Sequence, residues 1–497
     1  IFFRAGCSAG LSTPSSMEDR PGEGLCPPPG KYGKERTFGF YWHNADHDRT
    51  TTLIPDDNAL GEQWRVKKEM VKNRKPGDEV QQYENCVPPP SLYSWGSNHG
   101  KANLDMVLML LGAIWSRALP YVEILVFMSV CSPSRFQNQC ISDAPAEMPV
   151  CTFPSGANVN ASAYWPTPKY SRRHGHPARV TTVRFFCPVP QDEVLDHNAF
   201  TVTLTRPSSG DTVPVALCRQ SRTFGRVVAC PQPLFNYERL NSKHPNMVHE
   251  WLAYHRMIGF HKFMIYDLFG DFQKPLQPWV DIGFVEFIPR LAPRHLAPPN
   301  SNDTKMAGRE YCLEGAAHDH CLFMHQLTAA WGMLLHAPDN YLTFREPEKY
   351  PEYVESLLKR KDHTISAELL ALTRPCGGPP RAEDAPITLT FGYCSRALYG
   401  RRETPLFSTL MVLTTEVHIC GTIHPSCPKT HRTSLVDPVK VVTTHYMQMF
   451  WRKEWALSYG KNTTTLMELW PKFHAQMKEV VPKHMLTPVS LPVEWEL

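Results

Sequence analysis

The sequence predicts two folded units in tandem, an all-β sandwich followed by an α/β unit with a mostly parallel sheet. Three observations predict it. Between about residues 100 and 235, short apolar runs rich in Val, Thr and Phe are separated by turn residues, and several alternate with the period of half-buried strands. From about 226 the rhythm becomes short buried strand, amphipathic helix, short buried strand, as a parallel sheet with crossover helices requires. Ahead of both, residues 1–98 are rich in Pro, Gly and charge, as in CPPPGKYG (26–33) and CVPPPSLYSWGS (86–97). They read as a stem or linker without a core of its own. The resulting boundaries are 1–98 for the stem, 99–225 for the sandwich and 226–497 for the α/β unit.

Taken in order, the stem holds one helix, from Asn58 to Asn73. Its basic stretch RVKKEMVKNRK (65–75) is broken by apolar residues at helical spacing and reads as a solvated helix face. The sandwich strands are Met106–Ile114, Val122–Val130, Ala178–Cys187, Ala199–Thr205, Thr212–Cys218 and Arg226–Cys230. Tyr164 and Trp165 fall in a loop-like segment, where they could stack on sugar rings or simply pack. Met106–Trp115 is apolar but short of the ~20 residues a membrane helix needs. In the α/β unit, Val227–Cys230 is a first buried strand. A helix from Asn246 to Ile258 follows, with Met247, Trp251, Tyr254 and Ile258 on one face and Gly259 as its stop. Phe263–Tyr266 is the next strand, with Asp267 at its carboxyl end, and Phe284–Ile288 is a third. A helix from Cys312 to Trp331 then leads into a strand at Gly332–Leu335. Further strands are expected at Thr388–Tyr393, Ser408–Thr414 and Lys440–Thr444, and a last helix at Thr465–Lys478.

Composition narrows the function. With 42% hydrophobic and 20% charged residues the chain is an ordinary globular one, and a net charge of +4 over 497 residues gives no dense basic face for nucleic acid. Fifteen cysteines without paired CxxC spacing point to disulfides, with Cys131–Cys140 and Cys420–Cys427 as pairs flanking short polar loops. Three glycosylation sequons, at Asn160, Asn302 and Asn462, agree with an oxidising compartment. The chain opens at Ile1 without an initiating Met, so a removed signal or anchor segment is expected.

The candidate chemistry centres on His336-Ala337-Pro338-Asp339-Asn340-Tyr341-Leu342, where a buried strand surfaces at an acidic residue. Hard dications that hold a diphosphate take oxygen ligands, often with a histidine. Asp339 is the acidic candidate, and His418 and His445 each follow an apolar strand-like run. In sheets of this class, ligands bind beyond the carboxyl ends of the strands, which also draws attention to Asp267.

Several stretches together resemble glycosyltransferase family 92. Met247-Val248-His249-Glu250-Trp251-Leu252-Ala253-Tyr254-His255 is similar to its EW-x-x-YH helix. Phe263–Asp267 is similar to its strand ending in Asp, Leu276-Gln277-Pro278-Trp279 to its L-x-P-[WY] segment, and Gly283-Phe284-Val285 to its G-x-V strand. Asp319-His320-Cys321-Leu322 followed by Trp331 resembles the family's D-C-L helix and the Trp before its metal strand. His418 and His445-Tyr446 fall where plant galactan synthases of the family have G-V-H and H-Y-H. The resemblance covers roughly residues 226–450.

It implies a GT-A, Rossmann-like glycosyltransferase domain behind a carbohydrate-binding β-sandwich. It also implies inverting transfer of galactose from UDP-galactose, or of another sugar from its UDP form, to a glycan or polysaccharide acceptor. Asp339, His418 and His445 would hold Mn²⁺, and Cys230, Asp267 and Asp339 would lie at the nucleotide. A homodimer and a Golgi-lumenal, membrane-anchored enzyme whose anchor is absent from this chain complete the expectation. The catalytic base is not identified; a carboxylate in 380–436, such as Glu403 or Glu416, is a candidate. One departure matters. The family's D-x-D-E-[FY] reads Ala337-Pro338-Asp339-Asn340-Tyr341 here, so a ligating carboxylate is missing and an inactive carbohydrate-binding or scaffolding protein is the rival reading.

Overall fold

The computed structural model of the chain describes residues 51–53, 57–86, 91–95, 106–129, 148–165, 180–195, 198–243, 246–268, 270–289, 310–344, 353–359, 367–377, 393–394, 399–416, 419–424 and 433–446. Two large sheets dominate it, with the helix Glu310–Met324 between them.

The first is one continuous eleven-stranded sheet, paired antiparallel throughout, where two separate sheets were expected. It curls on itself. Cys151 and Cys187 stand on strands six places apart in the sheet order, yet they form a disulfide. The curl encloses a core that includes Val122, Ile124, Val126, Val183, Phe185, Val202, Leu204, Val213 and Val215, the alternate residues of the expected strands. The stretch 51–95, assigned by composition to a stem, supplies three of its strands, Thr51–Leu53, Glu79–Asn85 and Ser91–Trp95. Glu79–Asn85 (EVQQYEN) hides its period because its inward residues include Gln82 and Glu84, which are buried polar side chains. Tyr164 lies in the strand Ser162–Trp165 and is fully buried, so it packs and cannot stack on a sugar.

The second sheet begins with four parallel strands in the spatial order Val285–Ile288, Lys262–Tyr266, Gly225–Pro231, Ala329–Leu335. In chain order this is 3-2-1-4. The sequence-predicted juxtaposition of Val227–Cys230 and Phe263–Tyr266 is present, as are the helix Met247–Met257 and, with φ of 103° just beyond it, Gly259. The sheet continues through Tyr399–Ser408, Glu368–Gly377, Val441–His445 and Asn340–Phe344 with mixed pairing. Two expectations differ. The helix from 312 stops at Met324: a turn closed by Thr328 N–H donating to His325 O frees Trp331 to join the strand Ala329–Leu335. The run Ser408–Thr414 is broken by a turn at 409–411: Ser408 ends the strand Tyr399–Ser408, and Val412–Thr414 open the strand Val412–Glu416. The expected strand from Thr388 and the helix Thr465–Lys478 lie outside the described residues, apart from Tyr393. Among the described residues no helix is long and apolar enough to cross a membrane.

The helix Glu310–Met324 binds the two sheets into one body. On one side Met109, Leu111, Ile114 and Leu125 of the first sheet meet it; on the other stand Val228, Met264 and Leu334 of the second. Packing is close enough to require glycine. A Cβ on Gly332 would run into Leu322 Cδ2, and one on Gly112 would meet Met324 Sδ at 2.8 Å. Gly332→Ala should therefore cost about 1–3 kcal/mol through overpacking, read from chemical denaturation. A variant as stable as the parent would mean that the helix can shift away at no cost.

Buried charge crosses the same seam. Arg222, from the first sheet, sits 2.5 Å from both Glu84 of its own sheet and Glu286 of the second. Burial works against charge on Glu286, but Arg222, His325 and Lys262 outweigh it and hold its carboxyl down to about 2. Glu84 is left as the weaker partner, pushed up to about 7 by desolvation. Farther along, Glu123 accepts from Lys67, Gln63 and Gln326. Lys67 belongs to the helix Asp57–Lys72, whose basic face is thus only partly solvated: Arg65 pairs outward with Glu62 and Glu69 while Lys67 points into the seam.

Candidate functional site

In a 3-2-1-4 arrangement the crevice opens at the carboxyl ends of the first and fourth strands, where the crossovers diverge. Those ends are Pro231 and Leu335, paired with each other. The chain leaves Leu335 through His336-Ala337-Pro338-Asp339 and turns back into Asn340–Phe344; the turn is closed by Asn340 N–H donating to Ala337 O.

Among the described residues, the strand Asn340–Phe344 ends the sheet order and pairs only with Val441–His445. The outward carbonyls of such an edge need partners when buried. The helix Met247–Met257 provides them. Trp251 Nε1 donates to Asn340 O at 2.8 Å, and the Tyr254 hydroxyl donates to Leu342 O at 2.7 Å. Residues three apart share a helix face, and carbonyls two apart share a strand edge, so the two spacings match. His255, one residue on, uses Nδ1 to tie back to Trp251 O and stacks against Tyr341. The sequence showed Trp251 and Tyr254 as part of an apolar stripe and of the EW-x-x-YH likeness, with no role for either; their hydrogen-bonding ends are what hold the Asp339 turn. Trp251→Phe should cost about 1–3 kcal/mol, since it leaves a buried carbonyl unpaired, and a thermal melt reads it. A cost near zero would mean that water replaces the indole N–H.

Asp339, His445 and His336 meet on this frame. Asn340 and His445 are register partners, and Tyr446 N–H donates to Asp339 O at 2.8 Å. His445 Nε2 lies 3.3 Å from Asp339 Oδ2. Burial alone would raise the Asp339 carboxyl, but the charge and hydrogen bond of His445 outweigh it and hold it below the ordinary value. His336 stacks on His445 with centroids 6.4 Å apart, and its Nδ1 lies 3.2 Å from Glu314 Oε1. A chain of contacts thus runs from the helix between the sheets to Asp339. Sequence reading missed Glu314 and gave His336 no role. No spacing rule joins them; His336 at the carboxyl end of a core strand was the one available signal.

The fit to a divalent ion can be tested on these atoms. Asp339 Oδ1 is buried without a hydrogen-bond partner among the described residues, an expensive state for an ionised oxygen. The 3.3 Å between Asp339 and His445 is near the ~3 Å that separates neighbouring ligands of a six-coordinate ion with bonds of about 2.1 Å. No group of three or more His, Cys, Asp or Glu side chains that could hold a metal occurs among the described residues, and Ala337 carries no donor. These residues fit an ion that brings much of its shell as phosphate and water. They do not form a closed protein cage.

The other expected residues divide. Asp267 stands at the carboxyl end of Lys262–Tyr266, but its two oxygens accept from the backbone N–H groups of Gly270 and Phe272, both at 2.8 Å. Its carboxylate is used in shaping that loop. Cys230 is bonded to Cys321, so its sulfur fastens the helix Glu310–Met324 to the strand Gly225–Pro231 instead of facing a ligand. Glu403 and Glu416 fall in strands, and His418 lies outside the described residues. So do Cys131, Cys140 and Cys427; among the described residues the bonded pairs are Cys86–Cys218, Cys151–Cys187 and Cys230–Cys321.

A family model described as Glycosyltransferase family 92 matches residues 225–485, more than half of the 497-residue chain. The chain belongs to glycosyltransferase family 92. No curated protein and no solved structure matches it. The family 92 match begins at Gly225, the first residue of the second sheet's first strand, so the eleven-stranded sheet lies outside it. Membership makes the chain a glycosyltransferase at family level, with a sugar donor and a glycan acceptor.

Proposed function

We propose that this family 92 member transfers galactose from UDP-galactose to a glycan or polysaccharide hydroxyl with inversion, on a GT-A-type domain in the Golgi lumen. The observation that carries the reading is the buried Asp339–His445 pair beyond the carboxyl ends of the parallel strands, with one Asp339 oxygen unsatisfied. Asp339 and His445, with His418 as a third donor, would hold Mn²⁺. The ion would neutralise charge on the departing diphosphate. Trp251 and Tyr254 fix the strand that carries Asp339, and His336 and Glu314 orient His445 from behind. In the transfer, a carboxylate such as Glu403 or Glu416 takes the proton of the acceptor hydroxyl. That oxygen bonds to the anomeric carbon as the bond to the UDP oxygen breaks. The eleven-stranded sheet, in this reading, is the carbohydrate-binding part.

The test is incubation of the full chain with Mn²⁺ and a panel of UDP-sugars. UDP release with UDP-galactose and a nucleotide-dependent rise in melting temperature are expected. Ala337 favours the rival, an inactive carbohydrate-binding or scaffolding protein, and absence of both signals with every donor would overturn the enzyme reading.

A further inference from the structure

We propose that Asn160 carries an N-linked glycan, and that the glycan shields the outer edge of the eleven-stranded sheet. Asn160-Ala161-Ser162 is an acceptor triplet with a residue other than Pro at its centre. Ala161 and Ser162 are buried in the folded sheet, so the glycan is attached while the chain is still folding, and Asn160 is the residue that must remain open to hold it. Asn160 is exposed at the end of the short strand Asn158–Asn160, which pairs with Val150–Thr152 and closes the sheet order on that side. Three cysteine pairs spread over both sheets are bonded, which is the chemistry of a chain folded in the oxidising compartment where such glycans are attached. The edge supplies the reason for a glycan here. A terminal strand offers unpaired N–H and C=O groups to a second chain, and native proteins cover or charge such edges. Asn158–Asn160 (NVN) has neither charge nor Pro. A bulky, hydrated oligosaccharide on its last residue would keep a second molecule off. The triplet lies outside the stretch matched by the family, so the glycan belongs to this chain's first sheet and not to the transferase machinery.

The full chain, secreted from a eukaryotic host, is digested with peptide:N-glycosidase in heavy-oxygen water, and the peptide containing position 160 is sequenced by mass spectrometry. Heavy aspartate at 160 in more than half of the molecules is expected. Asn160→Gln and Ser162→Ala should each remove one glycan step on a gel and raise the self-associated fraction in sedimentation at least severalfold. An unmodified peptide from efficiently secreted protein overturns the proposal, and so does a glycan whose removal by either variant leaves self-association unchanged. Because the peptide readout needs no activity, failure of the transferase reading is seen separately.

Discussion

Replacement of Asp339 by Asn is expected to lower kcat/KM for sugar transfer by roughly 10²–10³, the equivalent of about 3–4 kcal/mol of lost transition-state stabilisation. Amide and carboxylate are nearly isosteric, and the backbone of Asp339 is held by Tyr446 whatever the side chain. The fold should therefore survive, with the loss falling on the nucleotide. Mn²⁺-dependent binding of UDP, read by calorimetry, should weaken at least tenfold while metal-free UDP binding stays unchanged. Ala337→Asp is the converse. It restores a second carboxylate near Asp339, and the Mn²⁺ affinity of the UDP-bound protein should rise at least tenfold. If Asp339→Asn leaves metal-dependent binding intact, His445 and substrate phosphates suffice and Asp339 is only a hydrogen-bonding partner.

Acid should unfold this protein steeply. His255, His325 and His424 are driven down to about 3, and His320 to about 4, chiefly by burial. In the unfolded chain all four titrate near 6.5. Each is depressed on folding, so the stability it contributes is complete above pH 6.5 and is lost as pH falls. Glu84, pushed up to about 7, and Asp319, pushed up to about 6, both mainly by desolvation, act in the opposite sense. They bind protons first in the folded state and offset two of the four until pH reaches about 4.5. The net difference is two protons between about pH 6 and 4.5, or roughly 2.7 kcal/mol per pH unit. Below that the difference stays near two to two and a half, roughly 3 kcal/mol per unit, because His320 and then the other three histidines take up protons in the folded state while Glu84 and Asp319 do so in the unfolded one. Glu286, held at about 2, adds to the loss there. Urea melts should show stability falling from pH 6.5 and a transition near pH 4. The double variant His320→Asn, His325→Asn should lose nearly all of the slope between about pH 6 and 4.5, since the two remaining histidines are then offset by Glu84 and Asp319. Equal stability at pH 7 and pH 4.5 would contradict the buried neutral histidines.

These residues also mark what a sequence can disclose. The parallel strands Gly225–Pro231 and Lys262–Tyr266 were legible because they are short apolar runs between polar loops. The helix Met247–Met257 was legible because four apolar side chains fall on one face and a glycine ends it. The pairing of Asp339 with His445 was reached through family likeness, since over a hundred residues separate them and only the antiparallel register joins them. Glu314 and His336 meet because a helix and a strand pack at a particular height, which no periodicity encodes. Polarity misled twice. Gln82 and Glu84 made a buried strand look like linker, and Lys67 made a helix face look solvated, since each satisfies its charge or amide inside the seam. Trp331 misled in the other direction, continuing a helical stripe past the turn at His325–Thr328.

The helix between the sheets has a consequence in time. During synthesis the eleven-stranded sheet is complete once Thr223 has emerged, but the helix that covers Met109, Leu111, Ile114 and Leu125 ends at Met324, about a hundred residues later. At ribosomal speeds of about 5–20 residues per second, that apolar surface waits roughly 5–20 s for its cover. Arg222 waits about two-thirds as long for Glu286. The first sheet is thus born unfinished, and chaperone occupancy in that interval should fall on its Met109–Leu125 face.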